Sequence, residues 1–566
     1  MTFYVDVNQG PARQYHPPSQ PTRVSEYVYG INGFGGFVAS KTKFGLIRQG
    51  GDAYTDWNWV TNFTDSGNDY CFNTNPGEGG SGTLAGAIVA NSDSIPNAQA
   101  KGEAFLATVP ILDFVSSNQI NNPWGDSQSN PGGPNCPGNT SCGNSYGANT
   151  GNQDFASQDP GSSAFVANHP SKSGTLCTCP GPNCGSGCTP TSPGPVYQDE
   201  FVNYLKVNYG SGAAPIFFQL DNEPNYWGST HPEVWGGWTG SVPCQQNVVT
   251  TYDDIVNRNV TYATAIKSAW PQAQVYGPVV AQDGIIYAHS YSDPHLPTEF
   301  VDYYLQKLAA ASTSAGHPLV DVFDVHWYTV ASDPATCVQV PRMFWDPNYT
   351  ELSPSQTDAI DMGYSTNEFD DAWYPRQIIP RLLGKIASAY PAGGTAAPGL
   401  SFSEYNAGCE LSIEGGVAEA DLLGIFGREG ATAAMAWPLQ SLTNNYLVAA
   451  YDAFRNYDGN GATVGDTAVR ATTSDGASAT LYAFTHSDGS SGLELVAINK
   501  TNAAMTVGIT LANASGLSQV SAYQLVDGDA AVVPTPGAAP SVSCSGGSCT
   551  LAPSLPAMSV TTLILR

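Results

Sequence analysis

Short apolar runs recur between residues 28 and 438, and most are separated by stretches in which apolar residues repeat with helical spacing. This spacing predicts helices over 251–270, 298–311, 374–390 and 418–430. Eight runs have the length and the β-branched or aromatic content of buried strands: 28–33, 44–51, 103–111, 214–223, 273–280, 321–329, 399–406 and 432–438. Eight strands alternating with helices predict an α/β fold, a (β/α)8 TIM barrel over residues 21–457.

The pattern changes after residue 457. Five short segments of alternating apolar and polar residues follow, separated by Gly, Asp and Ser turns and without a helical stretch among them. They predict a C-terminal antiparallel β-sandwich domain over residues 458–566. The chain also begins with an alternating segment, residues 3–7, which a turn-rich stretch separates from the barrel. We predict that residues 1–20 contribute this strand to the sandwich.

A segment at about 120–195 has neither strand nor helix periodicity and is rich in Gly, Asn, Pro, Ser and Cys. A loop of this length inside a compact domain is usually functional or disordered, and we interpret it as a Cys-rich insertion in the barrel. It contains a cluster of four cysteines. A zinc site would combine thiolates in paired knuckles, but no histidine accompanies them, so we favour disulfides, without assigning pairs, for Cys177, Cys179, Cys184 and Cys188.

Most of the twelve cysteines lie in loops, which is typical of an exported protein with disulfide bonds. Cys136 with Cys142, and Cys544 with Cys549, are close enough in sequence to form local pairs. The first residues lack the basic and apolar regions of a signal peptide. Because the cysteine pattern indicates export, we expect a secreted protein whose signal peptide is absent from the given sequence. No run approaches the roughly 18 apolar residues of a membrane span.

The chain is strongly acidic, with 48 Asp and Glu against 20 Lys and Arg and a formal net charge of -28. Nucleic acids and anionic membranes bind through Lys and Arg that neutralise phosphates, so this composition argues against both as partners. It favours a neutral partner. We also expect the protein to be a monomer.

Two glutamates follow strongly apolar strand patterns. Glu223 ends the run at 214–223, and Glu404 lies near the end of the run at 399–406. In barrel enzymes the chemistry takes place where the strands end. Because hydrolysis of a glycosidic bond needs one carboxylic acid and one carboxylate, we predict that Glu223 and Glu404 are a catalytic pair.

Polar residues near other strand ends fit a sugar-binding site. Arg48 lies at the end of the second strand and could hold a carboxylate ionised, or could form a structural ion pair. Asn222 could donate a hydrogen bond to a substrate hydroxyl beside the acid. His326 and Tyr328 lie at the end of the sixth strand, where the tyrosine hydroxyl could hydrogen-bond the nucleophile.

Indole rings stack on the apolar faces of sugars, and five tryptophans follow or end the predicted strands. Each of them could instead pack in the core. The candidate sugar-binding tryptophans are Trp57, Trp59, Trp227, Trp327 and Trp437.

Taken together, the segments YGING, RQGGDAYTDWNW, QLDNEPNYWGSTHPEVW, DVHWYT, SEYN and AMAWP resemble glycoside hydrolase family 44. The segment DNEPNYWGSTHPEVW is specific to that resemblance, whereas NEP alone is common to a large clan of barrel glycosidases. The resemblance covers most of the chain, including the sandwich. The Cys-rich insertion departs from the family pattern.

The resemblance implies a retaining endo-β-1,4-glucanase or xyloglucanase, acting by double displacement on xyloglucan, soluble cellulose derivatives or mixed-linkage glucan. It implies Glu223 as the acid/base and Glu404 as the nucleophile, with no cofactor required for catalysis. Structures in the family often carry calcium, so the resemblance implies a structural calcium ion, although no EF-hand-like loop is present and its ligands stay unassigned.

Two alternatives stay open. A related barrel glycosidase acting on xylan or mannan would share the catalytic glutamates. A non-catalytic polysaccharide-binding protein would not be expected to keep both glutamates together with Arg48 and Tyr328.

Overall fold

A computed structural model describes the chain except residues 14–19, 34, 66, 68–73, 78–79, 81, 118–164, 174–175, 177–193, 232–233, 236–248, 283, 289–292, 332, 350–374, 392–393, 491 and 538. Most of the predicted Cys-rich insertion lies outside the described residues, as do its four clustered cysteines and the predicted Cys136–Cys142 pair. Within the described part of the chain, no helix has the length and apolar character needed to span a membrane.

Eight strands close into a parallel barrel and follow one another in chain order around it, which confirms the predicted fold class. Strands such as Ala104–Val109 and Ile216–Leu220 are buried at every position, as expected when helices cover the outside of a barrel and side chains fill its inside. The eight strands are Gly30–Asn32, Leu46–Gln49, Ala104–Val109, Ile216–Leu220, Val275–Val280, Val322–Ala331, Gly399–Gly408 and Ala433–Ala436.

The four predicted helices are present as Tyr252–Ala269, Phe300–Ala315, Ile378–Ala389 and Ile413–Glu429. The first begins with a capping box, because the Thr251 side chain accepts from the Asp254 amide and the Asp254 carboxylate accepts from the Thr251 amide. The last begins five residues earlier than predicted, since Gly415 and Gly416 weaken the helical signal there. Further helices are Gly86–Val89, Ile95–Lys101, Gln198–Tyr209, Trp227–Thr230, Gly284–Tyr287, Pro334–Cys337 and Tyr446–Arg455. Short 3-10 helices are Glu26–Tyr29, Phe37–Ala39, Asp52–Tyr54, Pro224–Tyr226 and Val340–Phe344.

The chain divides into two compact units. The first consists of Met1–Leu46, Trp327–Ala387 and Leu400–Arg566, and the second of Ile47–His326 and Ser388–Gly399. In the second unit, neighbouring barrel strands pair in parallel, with Phe218 beside Ala107 on one side and Val275 on the other. This unit also contains a hairpin of Phe63–Asp65 and Thr74–Pro76, and a small sheet of Phe114–Ser116, Phe165–His169 and Val196–Tyr197.

The first unit carries the predicted sandwich. Thr2–Asp6 pairs antiparallel with Thr467–Thr473 and in parallel with Gly508–Ala512, so the N-terminal strand joins this domain as predicted. The strands are adjacent in the order Val533–Pro534, Val520–Leu525, Ser559–Leu565, Leu493–Asn499, Ala479–Thr485, Thr467–Thr473, Thr2–Asp6, Gly508–Ala512, Ser548–Leu551 and Val542–Ser545. Thr22–Arg23 pairs with Thr467–Thr473, and Met505–Thr506 pairs with Ser554–Leu555.

Alternate side chains of these strands form one buried core. Phe3 and Val5 from the N-terminal strand contribute to it together with Leu481, Leu495 and Ile509. This shared core explains how a strand at the beginning of the chain is held in a C-terminal domain, because its burial removes apolar surface from water.

A helix of the barrel is anchored to the sandwich within the first unit. Asp421, in the helix Ile413–Glu429, accepts hydrogen bonds from Tyr482 Oη and Thr480 Oγ1, both at 2.7 Å. It also forms an ion pair with Lys500, and the side chains of that pair are fully buried. Breaking one partner of such a pair is strongly destabilising, so the contact fixes the helix against the sheet.

Two disulfides lie within the first unit. Cys544–Cys549 confirms the local pair predicted from sequence. Cys337–Cys409 joins the segments that follow the strands Val322–Ala331 and Gly399–Gly408. The sequence did not predict this second pair, because its cysteines are 72 positions apart.

Candidate active site

Glu223 follows the strand Ile216–Leu220 at a point where the backbone leaves the extended conformation. Asp221 and Glu223 both have positive φ values, 68° and 42°, so the strand ends three residues before the predicted boundary. The Glu223 amide donates to Val279 O at 3.0 Å, and Pro224 opens a short 3-10 helix. A non-glycine residue in the left-handed region is held there by its surroundings, which is common at functional sites. The backbone conformation therefore fixes the position and direction from which the Glu223 side chain extends.

His326 contacts the Glu223 carboxyl group. The His326 Nδ1 to Glu223 Oε1 distance is 2.8 Å, and the His326 side chain is fully buried whereas 19% of the Glu223 side chain is exposed. The imidazole is thus a fixed partner of a carboxyl group that solvent can still reach. Such a pair can hold and release a proton at Glu223.

Arg48 orients the residue before Glu223. Its Nε donates to Gln219 Oε1 at 2.7 Å and its Nη2 donates to Asn222 Oδ1 at 2.9 Å. Asn222 Nδ2 donates to Asp52 Oδ1 at 3.1 Å, and Gln219 Nε2 donates to Asp324 Oδ2 at 2.9 Å. All five side chains are buried. Arg48 therefore acts on the orientation of Asn222, and its predicted contact with a catalytic carboxylate stays a prediction.

Asp221 stabilises the segment that carries Asn222 and Glu223. Its carboxylate accepts hydrogen bonds from the amides of Ile111 and Asn222, at 2.7 and 2.8 Å, and from Trp227 Nε1 at 3.2 Å. Burial raises the pKa of Asp221 to about 6, although these donors act in the opposite direction. Asp221 was not among the site residues predicted from the sequence.

Three of the predicted sugar-binding tryptophans are core residues. Trp57 and Trp59 pack against Phe201 with ring centroids 5.5 and 5.7 Å away, and Trp227 packs against Trp235 at 5.1 Å. All three indoles are buried. A stacking platform needs an exposed ring face, so the prediction is corrected for Trp57, Trp59 and Trp227, which act in packing.

The strand Val322–Ala331 presents His326 and Tyr328 on one face and Trp327 on the other, because successive side chains on a strand alternate. His326 contacts Glu223, and Tyr328 contacts Glu404. Trp327 is fully buried, so the prediction that it binds sugar is corrected as well. The Arg376 guanidinium lies 5.7 Å from its ring centroid.

Glu404 lies within the strand Gly399–Gly408 and is more enclosed than Glu223, with 6% of the whole residue exposed. Tyr328 Oη donates to Glu404 Oε2 at 2.5 Å. A short hydrogen bond from a hydroxyl group favours the ionised form of a carboxylate and fixes its rotamer. The hydrogen bond that we predicted for the Tyr328 hydroxyl is thus present, and the nucleophilic role of Glu404 stays a prediction.

Glu410 holds the loop that follows Trp437. Asn406 Nδ2 donates to Glu410 Oε1 and to Trp437 O, both at 2.7 Å. Glu410 also accepts from the Leu439 amide at 2.7 Å and from Asn445 Nδ2 at 2.8 Å. The Trp437 ring remains partly exposed. Glu410 therefore holds the segment that carries Trp437, and it was not predicted from the sequence because it lies beyond the end of its strand.

A buried carboxyl group also lies behind Glu404. The neighbouring Tyr405 donates from Oη to Glu419 Oε1 at 2.6 Å, and Tyr451 Oη lies 3.1 Å from Tyr405 Oη and donates to Gly30 O. Burial raises the pKa of Glu419 to about 8. This network connects the strand that carries Glu404 to the strand that begins at Gly30.

Comparison with known proteins identifies one family over much of the chain. Residues 63–331 match the model of glycoside hydrolase family 44. The chain is 30% identical over 512 residues to a β-mannanase/endoglucanase A of Caldicellulosiruptor saccharolyticus, covering 85% of this chain and 33% of that protein. It is 33% identical over 333 residues to an endoglucanase A of Paenibacillus lautus, covering 54% of this chain and 43% of that protein. The chain thus spans less than half the length of these two relatives.

Solved structures agree over the full length of the chain. A xyloglucanase of Paenibacillus polymyxa from the same family, determined with xyloglucan, has a TM-score of 0.76 and 25% identity, covering 100% of this chain and 99% of that one. A family 44 endoglucanase of Clostridium acetobutylium has a TM-score of 0.75 and 26% identity, with the same coverage. The barrel and the sandwich therefore occur together in these proteins, as the sequence resemblance implied.

Proposed function

Because the chain belongs to glycoside hydrolase family 44, we propose that it is an endo-acting enzyme that hydrolyses β-1,4-glucan backbones. The observation that carries this proposal is the pair of contacts made by one strand face. His326 and Tyr328 are two positions apart, and each contacts one of the two glutamates named from the sequence. Side chains two positions apart point to the same face of a strand, and this supports the proposal that the two glutamates act on one glycosidic bond.

The two glutamates have different roles in this proposal. Glu404 attacks the anomeric carbon while Glu223 gives its proton to the leaving oxygen, so one C–O bond forms as the glycosidic C–O bond breaks. Water then attacks the same carbon, Glu223 takes a proton from it, and Glu404 is released. Two displacements at one carbon retain its configuration. The exposed part of Glu223 supports its role as the acid/base, since the leaving group and water must reach it.

Substrate contacts follow from the same arrangement. Trp437 is the tryptophan of the predicted set that stays partly exposed, and we assign it the stacking role. Asn222, oriented by Arg48, is assigned to a substrate hydroxyl beside the acid. Neutral hydroxyl groups and ring faces match these contacts, and the acidic net charge is compatible with an uncharged polysaccharide.

Xyloglucan, soluble cellulose derivatives and mixed-linkage glucan are the proposed substrates. The name of the Caldicellulosiruptor relative includes mannanase activity, so mannan is the second candidate. Xylan and a non-catalytic polysaccharide-binding role are the remaining alternatives from sequence. Reducing-end release from xyloglucan, unbranched β-glucan, mannan and xylan separates the catalytic alternatives. No release from any of them would contradict the proposed function.

The stereochemistry has its own test. NMR of the first products should show the β-anomer before mutarotation, as expected for double displacement. An initial α-anomer would indicate inversion, for which the carboxyl groups should be about 6.5 Å or more apart instead of about 5–5.5 Å.

Several accompanying features belong to the same proposal. We infer that the protein is exported, which is consistent with the disulfides Cys337–Cys409 and Cys544–Cys549. We also infer that it is a monomer and that its domains are residues 1–20, 21–457 and 458–566. Catalysis by two carboxyl groups requires no cofactor. A structural calcium ion is inferred from the resemblance alone, and its ligands stay unassigned. A lower melting temperature in EDTA that calcium restores would support that ion, and an unchanged one would contradict it.

A further inference from the structure

A cavity of about 680 Å³ lies in the first unit beside the segment that precedes the barrel strand Gly30–Asn32. Its volume is within the range of small-molecule sites in proteins. The residues that matter for its chemistry are Arg23, Glu26, Tyr27, Arg455, Asp466 and Asp488.

The cavity is separate from the residues assigned to catalysis in this unit. Tyr29 also lines it and precedes its barrel strand, whereas Trp437 follows the neighbouring strand Ala433–Ala436. These two strands pair in parallel, with Ala436 beside Ile31. Residues before and after parallel strands lie at opposite ends of the barrel. The cavity is therefore at the amino end of the strands, away from the end that carries Trp437.

Hydrogen bonds and ion pairs fix the side chains around the cavity. Asp466 accepts from the Ser487 amide at 2.8 Å and from Ser487 Oγ at 2.6 Å, and it pairs with Arg23 at 3.3 Å. Arg455 donates from Nε to Lys43 O at 2.7 Å, and its guanidinium lies 5.0 Å from the Tyr29 ring centroid. Asp466 and Arg455 are held by these hydrogen bonds and therefore lose little conformational freedom when a ligand binds, whereas the Arg23 side chain is mostly exposed.

The lining selects a class of ligand. Two guanidinium groups and the His486 imidazole line the cavity together with three carboxylates, from Glu26, Asp466 and Asp488, so positive groups do not outnumber negative ones and a phosphate or a polyanion is not favoured. The density of charged groups also disfavours an apolar ligand, because their desolvation would not be repaid. A neutral molecule with many hydroxyl groups can donate to the carboxylates and accept from the guanidinium groups. The partly exposed Tyr27 adds an aromatic ring of the type that contacts sugar faces.

We propose that this cavity is a second carbohydrate-binding site, which takes a segment of neutral β-glucan outside the catalytic cleft. The proposal rests on the proposed function, since the polysaccharide bound here is the one that the barrel hydrolyses. The site would hold the polymer near the enzyme without taking part in bond cleavage. Its loss should therefore affect retention on a polymer and leave the turnover of a short substrate unchanged.

The test compares Tyr27→Ala and Arg23→Ala with Tyr4→Ala. Tyr4 is an exposed tyrosine of the sandwich strand Thr2–Asp6 and serves as the matched control. Binding to amorphous cellulose is measured by depletion, and kcat/KM is measured on a soluble chromogenic cello-oligosaccharide. We expect the two cavity variants to bind cellulose about two- to tenfold more weakly, with kcat/KM unchanged and the control equal to the wild type.

Retention of wild-type binding by both cavity variants would overturn the proposal. Arg23 has a mostly exposed side chain, so Arg23→Ala keeps the test valid if Tyr27→Ala fails to fold. The result is distinguishable from a failure of the proposed function. A wild-type protein that binds cellulose through Tyr27 and Arg23 but releases no reducing ends would contradict the hydrolase assignment while supporting a binding site here.

Discussion

The surroundings of Glu223 and Glu404 differ in exposure and in the chemistry of the neighbouring group. Glu223 has a partly exposed side chain and an imidazole at 2.8 Å, whereas Glu404 is nearly enclosed and accepts a hydroxyl donor at 2.5 Å. An acid/base must exchange protons with a leaving group and with water, so access and a titratable neighbour suit it. A nucleophile must stay ionised and keep one orientation, which a fixed hydroxyl donor provides. The neighbours of the two glutamates therefore support the two different roles that we propose for them.

The largest expected effect is that of Glu404→Ala. Removal of the nucleophile should lower kcat on β-glucan by roughly 10⁴-fold or more, because no covalent intermediate can form. Azide can enter the space that the side chain leaves, and the expected product is the α-glycosyl azide, identified by NMR. Glu414→Ala, at a partly exposed position in the first turn of the helix Ile413–Glu429, is the control and should retain activity. An active Glu404→Ala enzyme would remove the nucleophile assignment.

Glu223→Ala should have a smaller effect that depends on the substrate. Loss of the general acid should slow cleavage of polysaccharide by about 10²- to 10⁴-fold, but much less for a dinitrophenyl glycoside, whose leaving group needs no proton. Azide should now give the β-glycosyl azide, because the intermediate on Glu404 still forms. The opposite anomers from the two variants distinguish the two roles. Equal losses on both substrates, without azide rescue, would contradict the acid/base role.

Tyr328→Phe tests whether the hydroxyl contact explains the difference between the two glutamates. Removal of one hydrogen bond to a charged group should lower kcat by about ten- to hundredfold, with a smaller change in KM. Tyr303→Phe is a matched control, because Tyr303 Oη donates to the Asp253 carboxylate at 2.6 Å on a helix of the second unit. If both variants kept wild-type kcat, the Tyr328 hydroxyl would have no role in positioning Glu404.

The sequence predicted the eight strands well because buried parallel strands are continuous apolar runs. It predicted their ends less well. The predicted strand extended to Glu223 because the residue pattern does not report φ, whereas the positive φ values of Asp221 and Glu223 end the strand at Leu220. The start of one helix was also predicted wrongly. The helix Ile413–Glu429 was predicted too short because its first turns contain glycine.

Within the candidate site, position on a strand was predictable and burial of aromatic rings was not. The alternation of His326, Trp327 and Tyr328 separates two polar contacts from one core residue, and this could be read from the strand pattern. Trp57 and Trp59 lie in irregular segments, where no periodicity indicates which way a ring points. Their burial depends on Phe201, which is more than 140 positions away in sequence. Glu410 was missed because it lies beyond the end of its strand, and two of its donors are amides of the loop after Trp437.

The smallest expected effect concerns the buried carboxyl group behind Glu404. The pKa of Glu419 rises from 4.5 to about 8 in the folded protein, chiefly by burial. Between these two values the folded state keeps a proton that the unfolded state has released, so the contribution of Glu419 to stability decreases as pH rises through this window. Glu419→Gln removes this titration. The melting temperature of the variant relative to wild type should therefore rise from pH 5 to pH 8, by about 1–3 °C. Glu414→Gln on the same helix is the control. If the difference in melting temperature between Glu419→Gln and the wild type stayed constant from pH 5 to pH 8, Glu419 would not titrate in this range. The buried environment behind Glu404 would then not raise the pKa of Glu419.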